Sequence, residues 1–136
     1  MVKAAEAEFA SRKEGQRIDF LVGDAAKILD GLVCRLAESD ESKKFDFVFI
    51  DAAKSHYREF FDAAEKICTK DALIVCDNIL LNGWIAAAEG KEAKRHRTSI
   101  KYMKQFLDYL RERDDLEVSI LTGADGLAII RFINEQ

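Results

Sequence analysis

The sequence predicts an α/β domain with a doubly wound, mostly parallel sheet that ends in an antiparallel hairpin. Short apolar runs alternate along the chain with amphipathic segments of helical period. The runs over 45–50 and 73–76 both indicate buried strands, and nearly every residue of 73–76 is apolar, as expected for a strand covered on both faces. Two further runs, 116–121 and 127–132, flank a short glycine-containing segment and favour a hairpin. The order β-α-β-α-β-α-β-β is that of a doubly wound sheet.

The front of the chain predicts a helix, a strand and a second helix. Residues 2–14 are rich in alanine, glutamate and lysine and indicate a helix, and residues 18–22 indicate a short strand. Over 25–38, apolar residues recur at the i, i+3, i+4, i+7 spacing of an amphipathic helix. Asp24 stands directly before this helix and is predicted to be its N-cap.

The remaining elements continue the alternation. After the strand over 45–50, residues 55–68 predict a helix with aromatic side chains on one face. The segment 79–96 is irregular apart from a short helix around 84–89, and it leads into a long amphipathic helix over 98–113.

Composition favours a single domain, residues 1–136, with a packed core. Hydrophobic residues make up 49% and charged residues 34% of the chain. The formal net charge of −4 gives no overall basis for binding nucleic acid or a membrane, so a basic contact must be local. No apolar run approaches the roughly 18 residues of a membrane span, and no signal peptide is visible.

The three cysteines, Cys34, Cys68 and Cys76, all lie in apolar contexts. Their number is odd, and no two have the spacing of a metal-binding pair. We therefore expect buried, reduced thiols. Together with the lack of a membrane segment, this predicts a soluble protein of the cytoplasm.

Two of the predicted strands end in acidic residues. Asp51 follows the strand over 45–50, and Asp77 and Asn78 follow the strand over 73–76. Because the carboxyl ends of strands form the ligand crevice of an open α/β sheet, these side chains are expected to meet at one edge. Such oxygen ligands suit a hard divalent cation: Mg²⁺, Mn²⁺ or Ca²⁺. For Asp51 taken alone, capping of the next helix is an equally good interpretation.

Four motifs stand out along the chain: FLVGDA at 20–25, FDFVFIDAAK at 45–54, VCDN at 75–78 and GADGLA at 123–128. In their order and spacing they resemble the cation-dependent O-methyltransferases. This family of class I S-adenosylmethionine enzymes includes catechol and caffeoyl-CoA methyltransferases, and bacterial relatives that act on a hydroxylated tRNA wobble uridine. The resemblance implies a Rossmann-like sheet of strand order 3-2-1-4-5-7-6.

The resemblance implies a metal site and a catalytic lysine. Asp51, Asp77 and Asn78 would bind the metal, and Asp51 would also lie close to the sulfonium end of S-adenosylmethionine. Lys54 would sit beside the acceptor hydroxyl as a general base or a stabiliser of developing charge. Without the resemblance, Lys54 is more simply a solvated residue at a helix start.

Cofactor contacts are also implied. Asp24 would bind the adenine amino group with the Ala25 amide nearby, and His56 and Tyr57 would line the cofactor pocket. Trp84 falls where the family builds its acceptor-binding loop, although a core or interface position suits it equally. His56 is more simply a pocket wall than a catalytic base.

A basic stretch over 91–97 ends at Arg97, which is a candidate contact for a phosphate of the acceptor, as in RNA or a CoA-like group. The simpler interpretation is a solvated approach to the helix over 98–113. Asp125, in a turn flanked by glycines, is most simply a turn-former.

The chain departs from the family pattern at its amino terminus. Family members carry a glycine-rich turn that holds the cofactor's methionine part, and no G-x-G pattern occurs here. We therefore expect the N-terminal strands to be missing, the chain to be a partial domain of a longer enzyme, and its own cofactor binding to be weak. The strand over 45–50 would then have an open apolar edge that a partner could cover.

These expectations combine into one predicted function. The chain is expected to belong to an O-methyltransferase that uses S-adenosylmethionine and Mg²⁺, Mn²⁺ or Ca²⁺. The acceptor is a phenolic or catechol-like small molecule or a hydroxylated uridine of tRNA, and the protein is expected to be a homodimer. The alternative is a non-catalytic remnant that serves as a dimerisation or binding module.

Overall fold

A computed structural model of the chain describes residues 7–83, 85, 94 and 96–133. No helix in this described part is long and apolar enough to span a membrane. Its helices and strands are, in chain order, α1 (Ala25–Leu36), β1 (Phe45–Ile50), α2 (Tyr57–Ile67), β2 (Cys68–Asp77), α3 (Arg97–Arg111), β3 (Leu116–Leu121) and β4 (Leu127–Phe132).

The described strands form one sheet in the order β1-β2-β4-β3. β1 and β2 are parallel, and β4 pairs antiparallel with β2 and with β3. Val48, Ile74, Ile130 and Val118 lie side by side across the four strands. The α/β class and the C-terminal hairpin are thus confirmed. The order also equals the 4-5-7-6 part of the sheet that the family resemblance implies.

Most predicted elements are present with shifted ends. β1 has the predicted bounds, whereas β2 begins at Cys68, well before the predicted 73, with a register shift between Phe45 and Phe47 on β1. α2 begins at Tyr57 because residues Lys54–His56 form a 3₁₀ turn. The predicted short helix over 84–89 falls on residues outside the described part, apart from Ile85.

The hydrophobic core lies on one face of the sheet, under α2 and α3. The inward face of α2 repeats at helical spacing with Tyr57, Phe61 and Ala64, as the sequence predicts. The strands contribute alternate residues only, because successive side chains of a strand point to opposite faces. These alternate residues are Val48, Ile50, Cys68, Ala72, Ile74, Cys76, Leu116, Val118, Ala128, Ile130 and Phe132.

The opposite face of β1 carries an exposed row of phenylalanines. Phe45, Phe47 and Phe49 are 42%, 53% and 52% exposed, and none belongs to the core cluster. The expectation that β1 is a buried strand is therefore wrong in the part of the chain that the structure describes. On β2, Val75 is buried on this same face, between Phe49 and Ile129 of the neighbouring strands, as expected for a strand covered on both faces.

The strand predicted over 18–22 does not form. Its residues are exposed and unpaired, because no strand of the described residues lies beside them to complete a hydrogen-bonded ladder. The helix predicted over 2–14 is described only at 7–10, and a 3₁₀ turn at Lys13–Arg17 follows it. The apolar side chains left exposed in the unpaired segment are Ile18, Phe20, Leu21 and Val22.

α1 is held by its cap and by α2. The Asp24 carboxylate accepts a hydrogen bond from the Lys27 amide at 3.1 Å, which confirms Asp24 as the N-cap. α1 packs against α2, and none of its residues is fully buried. Cys34 on α1 is consequently exposed, which corrects the expectation that all three cysteines are buried.

Thiol reactivity provides a test of this arrangement. Burial raises the pKa of Cys68 to about 11 and that of Cys76 to about 12. Because the thiolate is the reactive form, we expect only Cys34 to react with a disulfide reagent at about pH 8 in the folded protein. The measurement is the count of fast-reacting thiols, which should fall from one to none in Cys34→Ser. Fast reaction of Cys68 would contradict its burial.

Candidate active site at the ends of β1 and β2

The parallel pairing of β1 and β2 brings their polar ends together. Ile50 on β1 lies opposite Cys76 on β2, so Asp51 and Asp77 are the next residues of two adjacent strands. Since both strands run in the same direction, these acids lie at one edge of the sheet, where α/β domains bind ligands.

Lys54 is the centre of the group. Its ammonium Nζ donates to the Asp77 carbonyl at 3.2 Å and to Asn78 Oδ1 at 3.4 Å. It also donates to the Tyr57 hydroxyl at 2.5 Å and lies 3.9 Å from Asp51 Oδ1. The structure thus brings together the predicted metal ligands, the predicted catalytic lysine and one predicted cofactor residue.

Tyr57 fixes the two strand ends to α2. Its ring is completely buried, and its hydroxyl donates to the Asp77 carbonyl at 2.7 Å. The same hydroxyl accepts from Lys54, and burial raises the pKa of Tyr57. The sequence predicts an aromatic residue on the inner face of this helix. It contains no signal that the hydroxyl reaches the end of β2.

Burial and the neighbouring charges have opposite effects on the pKa of Lys54. Burial lowers the pKa of the Lys54 ammonium, while the nearby carboxylates of Asp51, Asp77 and Asp125 act to raise it, and burial has the larger effect. A lysine whose pKa is lowered releases its proton more readily, which suits a general base.

Asn78 has a backbone conformation that asparagine adopts more often than most other residues. Its φ is +53°, in the left-handed region where asparagine is more common than other side chains. The Asn78 amide donates to Asp77 Oδ1 at 2.6 Å. This turn directs the Asn78 carboxamide towards Lys54 on the neighbouring segment.

The β3–β4 turn holds the loop that follows β2. The amides of Ile79 and Leu80 donate to the carbonyls of Gly126 and Asp125 at 3.2 and 2.9 Å, and the Asn82 amide donates to the Asp125 carboxylate. Gly126 has a φ of +79°, and a Cβ there would lie 2.4 Å from Leu80 Cγ. Asp125 is thus a turn residue, as predicted, and also a support of the site, which the sequence does not indicate.

The oxygen atoms at this edge fit a divalent cation. Asp51 is largely exposed, and Asn78 Oδ1 and the Asp77 carboxylate lie beside the same lysine. In the described residues no three His, Cys, Asp or Glu side chains form a metal-binding group, so the predicted ligand set consists of two carboxylates and the Asn78 carboxamide. Mg²⁺ is bound by one or two carboxylates with water completing its shell, which this set allows.

The other predicted site residues have contacts of their own. Asp24 caps α1 and Ala25 begins that helix. His56 is half-exposed, lies 2.8 Å from the Glu59 carboxylate and stacks on Phe60. Their cofactor roles, and that of Tyr57, stay predictions.

Of the two residues predicted to contact the acceptor, only Arg97 lies among the described residues. Trp84 lies outside the described residues. Arg97 is the exposed first residue of α3, and α3 packs against the Lys54–His56 turn. The acceptor role of both residues stays a prediction.

The topology defines a Rossmann-like α/β domain, and its polar edge lies at the carboxyl ends of the parallel strands, where such domains bind ligands. The sequence profile of the O-methyltransferase family matches residues 4–133. The chain belongs to the O-methyltransferase family, which confirms the resemblance stated from the motifs.

Individual proteins agree with this assignment. Caffeoyl-CoA O-methyltransferase 2 of Zea mays is 30% identical over 121 residues, which are 86% of this chain and 44% of that protein. Flavonoid 3',5'-methyltransferase of Vitis vinifera is 28% identical over 116 residues, 85% of this chain and 48% of that protein. The chain thus spans less than half the length of these relatives.

Solved structures share the fold. The O-methyltransferase TomG of Streptomyces achromogenes, in complex with S-adenosylmethionine, has a TM-score of 0.78 at 23% identity, over 98% of this chain and 57% of that chain. A methyltransferase of Podospora anserina bound to SAH has a TM-score of 0.76 at 20% identity, over 98% of this chain and 56% of that chain. These likenesses establish the architecture.

Proposed function

We propose that this chain is part of an S-adenosylmethionine-dependent, divalent-metal-assisted O-methyltransferase. The observation that carries the proposal is the convergence of Asp51, Asp77 and Asn78 on Lys54 at the ends of two parallel strands. Membership of the O-methyltransferase family supports the reaction type.

The residues of the site suit methyl transfer to a hydroxyl oxygen. In this reaction the sulfonium S–CH₃ bond breaks, an O–CH₃ bond forms, and the hydroxyl proton must be removed. The neutral amine form of Lys54 would accept that proton at Nζ, or the ammonium form would stabilise the developing oxyanion. Tyr57 and the Asp77 carbonyl hold the lysine in position. Orienting donor and acceptor close together supplies much of the remaining acceleration.

The metal part of the proposal depends on the oxygen ligands. Asp51, Asp77 and Asn78 would hold Mg²⁺, Mn²⁺ or Ca²⁺. A divalent cation bound there supplies Lewis acidity, which lowers the pKa of an acceptor hydroxyl and fixes its direction.

The acceptor is a phenolic or catechol-like small molecule or a hydroxylated uridine of tRNA. The names of the maize and grape relatives support the phenolic acceptor. An exposed Arg97 at the start of α3 supports an acceptor that carries phosphate, as a CoA ester or tRNA does.

We further propose that the protein is a homodimer of the cytoplasm. The free thiols of all three cysteines are in keeping with that reducing compartment.

The test is methyl transfer from labelled S-adenosylmethionine by the protein purified as its source cells produce it. We expect transfer to a catechol or to a hydroxyuridine-containing tRNA in the presence of Mg²⁺, and its loss with EDTA. Asp77→Ala should lower kcat by about 100-fold or more, because it removes one metal ligand. Titration of Mn²⁺ into this chain, followed by electron paramagnetic resonance, measures the metal site independently of activity.

Asp108→Ala is the matched control, since this carboxylate lies on the surface of α3 in a salt bridge to Arg111. It should change neither Mn²⁺ binding nor transfer. Transfer that survives both EDTA and Asp77→Ala would exclude the metal mechanism. An absence of transfer to both acceptors would refute the proposed reaction.

A further inference from the structure

We infer that the Asp125 carboxylate holds the 78–83 loop in the conformation that presents Asn78, and that Asp125 thereby sets the affinity of the site for a divalent cation without binding the cation. This inference rests on the metal part of the proposed function. Asp125 lies on the turn between β3 and β4, and Asn82 lies on the loop after β2, 43 residues earlier. The Asn82 amide donates a hydrogen bond to the Asp125 carboxylate, so a side chain of the turn holds the loop.

The 78–83 loop has an unusual backbone conformation. Four of its residues have positive φ values, between +51° and +79°: Asn78, Leu81, Asn82 and Gly83. Leucine is the least expected of these, because in the left-handed region its Cβ crowds the following carbonyl oxygen. Such conformations persist only where the surrounding structure determines them. The loop therefore depends on contacts with other parts of the chain.

The contacts of the loop are of two kinds. Ile79 and Leu81 are 0% and 6% exposed and belong to the hydrophobic core. Backbone carbonyls of the 122–126 turn accept from the amides of Ile79 and Leu80. Among the hydrogen bonds described between the loop and this turn, only the one from Asn82 uses a side chain of the turn. A substitution at Asp125 can therefore remove this bond and leave the backbone partners in place.

Asn78 is the proposed ligand that this support reaches. It stands directly before Ile79, and its backbone carbonyl accepts from the Leu81 amide at 3.4 Å, so the loop turns back towards it. A loop released from its left-handed conformation would carry the Asn78 carboxamide away from the carboxylates of Asp51 and Asp77. Holding a ligand in place before the cation binds favours binding, because less conformational freedom is then lost.

A direct effect of the Asp125 charge is the competing explanation. The carboxylate is close enough to Lys54 that it acts to raise the pKa of the ammonium group. Asp125→Asn separates the two explanations. Its carboxamide oxygen can accept a hydrogen bond from the Asn82 amide, but the side chain carries no charge.

Titration of Mn²⁺ into the protein, followed by electron paramagnetic resonance, measures the affinity in three variants. We expect Asp125→Ala to raise the Kd for Mn²⁺ by about 10–100-fold, the usual effect of losing a residue that orients a metal ligand. Asp125→Asn should retain the affinity of the unmodified protein. Asp114→Ala is the matched control, because it removes an exposed carboxylate at the other end of β3, and it should leave the Kd unchanged.

Hydrogen exchange in the metal-free protein provides a readout that requires neither activity nor metal. Asp125→Ala should speed exchange of the Leu80 and Asn82 amides, because the loop then opens more often. The Ile74 amide of β2 should exchange at an unchanged rate. Faster exchange of Ile74 as well would indicate that Asp125 supports the whole fold, and would overturn the inference.

The remaining outcomes separate this inference from the metal proposal. Loss of Mn²⁺ binding in Asp77→Ala, together with unchanged binding in Asp125→Ala, would overturn the inference alone. Equal weakening in Asp125→Ala and Asp125→Asn would also overturn it, in favour of a charge effect. Mn²⁺ binding that is absent from the unmodified protein, or that survives Asp77→Ala, would refute the metal part of the proposed function and the inference with it.

Discussion

Replacing Phe106 by alanine is expected to lower the free energy of unfolding by about 3–5 kcal/mol. Phe106 of α3 is 1% exposed, and its ring contacts Tyr57 and Phe61 of α2 edge-to-face, with centroids 5.8 Å apart in both cases. Removing the ring deletes buried apolar area and both aromatic pairs, and leaves a cavity between two helices that cannot collapse easily. Urea denaturation followed by circular dichroism measures the change.

Tyr102→Ala is the matched control for this prediction. Tyr102 lies one turn before Phe106 on the same helix but is 44% exposed. Both substitutions shorten an aromatic side chain on α3, so their effects on helix propensity are similar. The control should cost about 1 kcal/mol or less. Equal losses in the two variants would show that Phe106 does not anchor α3 to the core.

Under the proposed activity, Lys54→Met is expected to lower kcat by about 10²–10⁴-fold, the usual contribution of a positioned acid or base. Its effect on stability should be small, because the hydrogen bond from Tyr57 to the Asp77 carbonyl remains. The substitution also removes an ammonium group that burial disfavours. Steady-state transfer rates, with denaturation curves in parallel, separate the two effects.

Two variants make this test specific. Lys66→Met changes an exposed lysine at the end of α2 and should leave kcat unchanged. Lys54→Arg keeps the positive charge but does not release its proton near neutral pH. Recovery of activity in Lys54→Arg would indicate charge stabilisation, and continued loss would indicate a general base. Retention of more than about a tenth of kcat in Lys54→Met would contradict either role.

Local patterns predicted the elements that pack against one another. β1, α2 and the β3–β4 hairpin were predicted from apolar runs, helical periodicity and a glycine-containing turn, and all three are present. The strand over 18–22 has the same apolar character and does not form, because a strand depends on a neighbour that its own residues do not specify. The exposure of Cys34 has a similar origin. Its helix packs against α2, a relation between elements that the sequence near Cys34 does not reveal.

The sequence predicted which residues form the candidate site but not the hydrogen bonds that join them. Asp51, Asp77 and Asn78 were placed at one edge by the rule for parallel strands, and the structure brings them to Lys54. Lys54 and Tyr57 both donate to the backbone carbonyl of Asp77, and residue types alone do not predict this contact. It depends on how far α2 reaches over the sheet, which is a property of packing.

The hydrogen bonds from the loop after β2 to the 122–126 turn make the hairpin a support for the polar edge. A fragment that ended before β3 would retain every proposed metal ligand and the lysine, yet Ile79 and Leu80 would lose the carbonyls that hold them. The position of Asn78 is thus sensitive to the length and conformation of a turn more than forty residues away. Insertions in that turn would therefore alter the geometry of the proposed ligands without changing any of those residues.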